Sequence, residues 1–323
     1  MKDFMIFDAH LDLAMNQLRG RDITHPASTQ PVVDNEIATV GLPDLRQGRV
    51  TRICGTIFCQ PQTDRHPGYR SIDEAYEQAS QQIGWYKRWI SQGELGFADR
   101  PGTPRVNLLI EGADCIRKAD DLYWFYEHGV RIVGLAWQAT RFAGGTACPG
   151  PITPAGQELI RELDQLEMIH DLSHLSEESF WDLLDLASGP VIASHSNCRS
   201  IVQNDPNQRH LSDDMIRAII QKKGVIGINF YDRFLLPDDQ YGKRRATLQD
   251  VVTHIRHICD LAGNPDHVGL GTDMDGGLGR EQVPIEIRTS ADLPLLYDAL
   301  AESGFPDPAV RGVLYDNWAR VIG

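Results

Sequence analysis

The sequence predicts an α/β fold, a closed parallel barrel of eight β/α units, the (β/α)8 or TIM barrel. Three observations carry that expectation. Eight short runs rich in Val, Ile and Leu recur along the 323 residues. Most of the segments between them carry amphipathic helical patterns. No Gly-rich phosphate loop follows an early strand, as an open doubly wound sheet would want. A chain of this length can bury one core of barrel size, and it lacks repeats, low-complexity tracts and linkers. Residues 1–323 therefore read as a single barrel domain with loop and helical insertions.

The elements follow in order. The first strand is "MIFDAH" (5–10), the second "VTRICGTIFC" (50–59). "SIDEAYEQASQQIGWYKRWI" then opens with Ser71 and Glu74 at capping-box spacing and predicts a helix over 71–90. "RVNLLIEG" (105–112), "VRIVGLAW" (130–137), "MIHDLSH" (168–174) and "PVIASH" (190–195) are the next four strands. "SDDMIRAIIQKKG" predicts a helix from the cap Ser212 to Gly224. "VIGINFY" (225–231) is the seventh strand, "TLQDVVTHIRHICDLAG" a helix from Thr247 to Gly263, and "HVGLGTD" (267–273) the eighth strand. The excursions over 12–49, 60–104, 138–167 and 274–323 read as loops and helices grafted on the barrel.

Composition excludes several functions. A formal net charge of −14 leaves no basic stripe for a nucleic-acid backbone. No apolar run approaches the roughly 18–20 residues that span a bilayer. Asp3, Asp8 and His10 interrupt the short apolar N-terminus, which argues against a signal peptide. The six cysteines show no paired CxxC spacing, so neither a zinc ribbon nor a disulfide framework is indicated. The expectation is a cytoplasmic protein with no membrane or nucleic-acid partner.

The position of the polar residues is the functional signal. Strand one ends in His10 and Asp12, strand three in Glu111, strand five in His174, strand six in His195 and strand eight in Asp273. In a parallel barrel those ends converge on the face where active sites sit. Alternation places residues 8, 10 and 12 on one strand face, and unpaired buried charges there are costly unless a cation is present. Imidazole with carboxylate suits zinc best. The set is too large for one tetrahedral ion, so two ions sharing a carboxylate is the natural reading. His10, Asp12 and Glu111 hold one; Glu111, His174 and His195 hold the other. Asp273 is the candidate base and proton carrier. Asp8 reads as an inward partner of His10 or a plain structural group.

Together "DAHLDL", "IEGAD", "DLSHLS", "ASHSNCRSI", "NFY" (229–231), "GTDMDGG" and the final "VLYDNWARVI" resemble the membrane (renal) dipeptidase family of zinc peptidases, in its order and over essentially the whole chain. The resemblance implies an amidohydrolase-like barrel of the metal-dependent hydrolase type with two Zn2+ bridged by Glu111. It implies hydrolysis of dipeptides, sometimes with D-residues on the C-terminal side, by a metal-bridging hydroxide, and a subunit that often pairs as a homodimer. By matching motif, His10, Asp12, Glu111, His174 and His195 are its ligands and Asp273 its acid/base. Arg209 in "QRHLSDDMI" matches the arginine that holds the substrate carboxylate, and Tyr231 of "NFY" joins the substrate-binding set.

One departure stands out. After the fourth strand the family pattern resembles "LTH", whose histidine helps stabilise the oxyanion. Here "LAWQATRFAGG" puts Trp137 in that place. Losing one oxyanion donor commonly costs about 3–4 kcal/mol, and the indole N–H or Arg141 are the available replacements. Two other readings therefore stand beside the dipeptidase: a hydrolase of another small carboxylate-bearing amide or lactone, and a catalytically silent metal-binding relative. Other features take plain readings. His254 and His257 read as a solvated helix face, His170 as core, Cys198 as no nucleophile, and "DMDGG" as no calcium loop, since it lacks the further oxygen ligands.

Overall fold

Each of the eight apolar runs becomes a parallel strand in the computed structural model, which describes residues 3–62, 68–97 and 104–323. The strands are β1 Ile6–Leu11, β2 Val50–Phe58, β3 Arg105–Glu111, β4 Val130–Gly134, β5 Ile169–Asp171, β6 Val191–Ile192, β7 Ile226–Ile228 and β8 Val268–Leu270. Their order is β6-β5-β4-β3-β2-β1-β8-β7. A bridge between Ala193 and Ile226 joins the two ends, with the Gly227 N–H donating to Ala193 O at 2.8 Å, so the sheet closes into a (β/α)8 barrel. Within the 60–104 excursion, residues 63–67 and 98–103 lie outside the described residues.

Helices cover the outside of the barrel. Helix Ile72–Ser91 begins at Ser71, whose hydroxyl accepts the Glu74 N–H. Glu74 reaches back to the Arg70 N–H rather than to that of Ser71, so only half of the expected box forms. Helix Leu248–Ala262 starts at Thr247 and stops at Gly263, which is left-handed at φ 71°, as its sequence predicts. Helix Asp213–Gln221 stops short of Gly224. Lys223 takes the left-handed turn instead, and a Cβ at Gly224 would meet Val191 O at 2.5 Å. That glycine serves the close approach to β6.

The barrel interior is closed at its N-terminal end by an apolar layer. Phe7 and Ala9, Cys54, Leu109, Ile132, Ile169, Ile192 and Val225 bring side chains from β1 to β6 and the lead into β7. Strand β8 offers Gly269 instead, and the C-terminal Trp318 fills its place: a Cβ at 269 would lie 2.2 Å from Trp318 Nε1, which donates to Leu270 O at 2.9 Å. Moving along the same inward face, Ile169 gives way to Asp171, Ile192 to Ser194 and Leu109 to Glu111. The floor is apolar and the opposite end is polar.

Candidate metal centre

The strands end earlier than the sequence suggests, and that places the site. β5, β6 and β8 each stop three residues before His174, His195 and Asp273. Those side chains therefore come from loops at the C-terminal rim, while His10 and Glu111 lie within β1 and β3. His174 and Asp273 have positive φ, 67° and 58°. This conformation is uncommon for non-glycine residues and collects at functional sites.

The rim brings the predicted residues together. Ligand atoms of His10, Asp12 and Glu111 lie within 4.8 Å of one another, as do those of Glu111, His174 and His195, and those of His10, His195 and Asp273. Glu111 faces both ways. Its Oε2 is 3.3 Å from His10 Nε2, and its Oε1 is 3.1 Å from His174 Nε2 and 3.4 Å from His195 Nε2. His174 Nε2 and His195 Nε2 are 2.9 Å apart. His10 Nε2 is buried and makes no hydrogen bond. Several lone-pair atoms thus converge on one volume with too few protons to pair them, and a cation satisfies that arrangement. The donors fit a divalent metal.

The buried carboxylates and imidazoles also act strongly on one another. Burial opposes a charge on His10, but Glu111, with Asp273 and Asp12, outweighs it and raises the imidazole to about 10. Burial and then Arg209 push His174 down to about 4. Burial, then His10 and Arg209, push His195 well below its usual value. Burial and then Glu111 raise Asp12 to about 6. Asp273 is raised well above the carboxylate range by burial and by Asp12 and Glu111, against the pull of His10.

The other predicted residues are placed as follows. Arg209 is buried, with Nη2 donating to His195 O at 2.6 Å and Nη1 to Ser196 Oγ at 3.1 Å. Trp137 stands beside the donors, 6.2 Å between ring centres from His174 and edge-on to Phe58 at 5.3 Å. Its indole N–H has no hydrogen-bond partner among the described residues. Arg141 donates to Ile116 O and covers the Phe142 ring. Tyr231 lines a separate cavity of about 390 Å³ with Asp232, Tyr241 and Lys243. It connects to the site through Phe234, which packs on Tyr231, His210 and the Arg209 guanidinium, and through Asn229, whose Oδ1 accepts the Tyr231 N–H at 2.8 Å.

Two sequence readings need correction. Register slips between Asp8 and Leu11, so strict alternation fails in β1. Of the two readings of Asp8 the structural one holds: it accepts the Thr272 N–H and hydroxyl and the His10 main-chain N–H, and so ties β1 to the segment after β8. His254 is fully buried rather than solvated, because the loop after β6 covers it: the Cys198 N–H donates to its Nδ1 at 3.1 Å.

Several site residues were not foreseen. Thr56 donates to Asp12, and the Asn229 amide donates to Asp273 Oδ2 at 2.9 Å. Thr146 Oγ1 lies 2.9 Å from His174 Nδ1, and Ser194 Oγ contacts both His10 and His195. Ser194 had a sequence signal, as the residue before a ligand histidine, and Asn229 sits inside "NFY". Thr146 had none.

A family model described as membrane dipeptidase, peptidase family M19, matches residues 1–323. An uncharacterized protein from the pqqA 5' region of Klebsiella pneumoniae is 37% identical over 213 residues, 62% of this chain and 74% of its own length. An uncharacterized dipeptidase of Schizosaccharomyces pombe is 29% identical over 349 residues, 98% of this chain and 80% of its own. Among solved structures, a metallo peptidase from Rhodobacter sphaeroides, liganded with a phosphinate mimic of the dipeptide L-Ala-D-Ala, superposes with a TM-score of 0.84 at 26% identity over 99% of both chains.

Proposed function

The chain belongs to the membrane dipeptidase family, and from that membership we propose that it is a metallo-dipeptidase whose barrel, residues 1–323, acts as one catalytic unit on dipeptides, L,D-dipeptides included. The observation that carries the reading is Glu111, with one carboxylate oxygen toward His10 and the other toward His174 and His195. His10, Asp12 and Glu111 would hold one ion and Glu111, His174 and His195 the other, and imidazole with carboxylate favours zinc. Bound there, such a pair polarises a carbonyl and brings the pKa of water to about 7.

The chain's own residues do the rest. Asp273 takes a proton from the attacking water and returns it to the leaving amine. Asn229 holds Asp273 Oδ2, which leaves Oδ1 for that transfer. Arg209 retains unpaired N–H groups beside the donors, and its charge suits a substrate's terminal carboxylate. In a chain of net charge −14, that local cation is what admits an anionic group. No helix among the described residues is long and apolar enough to cross a membrane. A cytoplasmic location is supported by six cysteines with no disulfide. A homodimer rests on the family resemblance.

The test is metal content together with turnover on L,L and L,D dipeptides. About two equivalents of zinc and hydrolysis that vanishes on stripping are expected. Metal-replete, folded protein that leaves the whole panel intact would sink the reading. Trp137 favours a second one, a hydrolase of another small carboxylate-bearing amide or lactone, which a parallel lactone panel separates from the first.

A further inference from the structure

Ser194 is fully buried beneath the donors, and its contacts order the protons around it. Its Oγ lies 3.0 Å from His10 Nδ1, 2.8 Å from His195 Nδ1 and 2.5 Å from Asp171 Oδ2. Ser173 Oγ, at 3.4 Å, is the most distant neighbour. A hydroxyl has one proton and two lone pairs. Asp171 Oδ1 already accepts the N–H groups of Ser173 and Ser194 at 3.0 and 2.9 Å, which fixes the carboxyl against this segment. Asp171 Oδ2 makes the shortest of these contacts, and the Ser194 hydroxyl donates its proton to it. Both Ser194 lone pairs then accept, and each imidazole must bring its proton on Nδ1. The lone pairs of His10 and His195 are left on Nε2, and both Nε2 atoms face Glu111.

The backbone holds this hydroxyl in place. A Cβ at Gly271 would lie 1.7 Å from Ser194 O, and one at Gly227 would lie 1.9 Å from it. Bare glycine backbone at β7 and just after β8 lets the Ser194 segment sit against both strands. Thr146 gives the contrast, since its hydroxyl meets His174 alone among the imidazoles.

We propose that Ser194 is a positioning residue that sets the tautomer and aim of one imidazole in each of the two donor groups at once, from a single hydroxyl anchored on Asp171, and so couples the two metal positions. The inference rests on the reading that these donors hold metal. Loss of such a supporting partner commonly lowers metal affinity 10–100-fold.

The test is the affinity for two successive zinc ions, by competition with a chromophoric chelator, on the stripped full-length protein. Ser194→Ala weakens both ions by that factor, whereas Thr146→Val weakens one. Ser194→Thr, which keeps the hydroxyl, recovers most of the loss; a folded Thr variant as weak as the Ala variant assigns the effect to packing and overturns the proposal. Wild-type protein that takes up no zinc sinks the metal-centre reading itself. Wild type that binds two ions while Ser194→Ala weakens one or neither sinks only the coupling. A second measurement needs no variant. In 113Cd-loaded, 15N-histidine-labelled wild type, one-bond cadmium coupling falls on Nε2 of His10 and His195, and coupling at Nδ1 of either overturns the assignment.

Discussion

Two residues show how burial turns an ordinary side chain into a chemical or thermodynamic device. Asp273 lies among His10, Asp12 and Glu111; burial, with Asp12 and Glu111, raises its carboxyl against the pull of His10, so it is suited to carrying a proton rather than to bearing a fixed charge. Asp273→Asn keeps the Asn229 contact and the donor groups but cannot accept a proton; kcat falls about 10²–10⁴-fold while zinc content stays at the wild-type value. Steady-state rates and metal analysis on one preparation check both halves. His254 works through stability. Both ring nitrogens are used in the neutral form, Nδ1 by the Cys198 N–H and Nε2 by Leu235 O, and burial pushes its pKa from 6.5 down to about 4. Below pH 6.5 the unfolded chain takes up a proton that the folded one refuses, so stability is lost as pH falls toward 4, by about 3 kcal/mol in total. His254→Gln is less stable at neutral pH yet loses less on acidification. Urea midpoints at pH 7 and 4.5 should show the gap between the two proteins narrowing; a constant gap would remove His254 as the cause.

At the scale of elements, the barrel depends on a few places where one strand yields to its neighbour. Gly269 in β8 is the clearest, because Trp318 from the last helix, Asn317–Ile322, occupies the volume a side chain would need. Gly269→Ala overpacks that layer and costs about 1–3 kcal/mol or more. Trp318→Phe, with its smaller ring, recovers part of the cost in the double variant, and a double-mutant cycle in urea measures the coupling. Additive effects would mean that the two positions do not compete for space. The eight strands were legible in the sequence because apolar runs of that length between helical patterns have few other homes. Their ends were not, since "DLSH" and "ASH" continue the run by composition while the chain has already left the ladder. His254 was misjudged for a related reason. An amphipathic helix shows which face is polar, but not that the loop after β6 folds over that face and supplies a partner for the ring.

For the molecule as a whole, one end of the barrel is an apolar floor and the other a ring of carboxylates and imidazoles. The donor types were readable one by one, because each follows an apolar run. The hydroxyls that aim them were not, because Ser194 reaches His10 across 184 positions of sequence and only barrel closure brings them together. That division has a thermodynamic consequence. Asp12, Glu111 and Asp273 sit together in a chain already at −14, and their mutual repulsion is a cost of folding without metal. An ion that binds only the folded barrel stabilises it by about 4 kcal/mol at a thousand times its Kd. Stripping the metal should therefore lower Tm on the order of 10 °C. Zinc should restore it, while magnesium and calcium, which prefer all-oxygen ligands, should not. If activity vanished on chelation while Tm stayed fixed, the ion lost would not be one held by these buried side chains. A Tm restored equally by magnesium would point to the carboxylates alone and remove the imidazoles from the site.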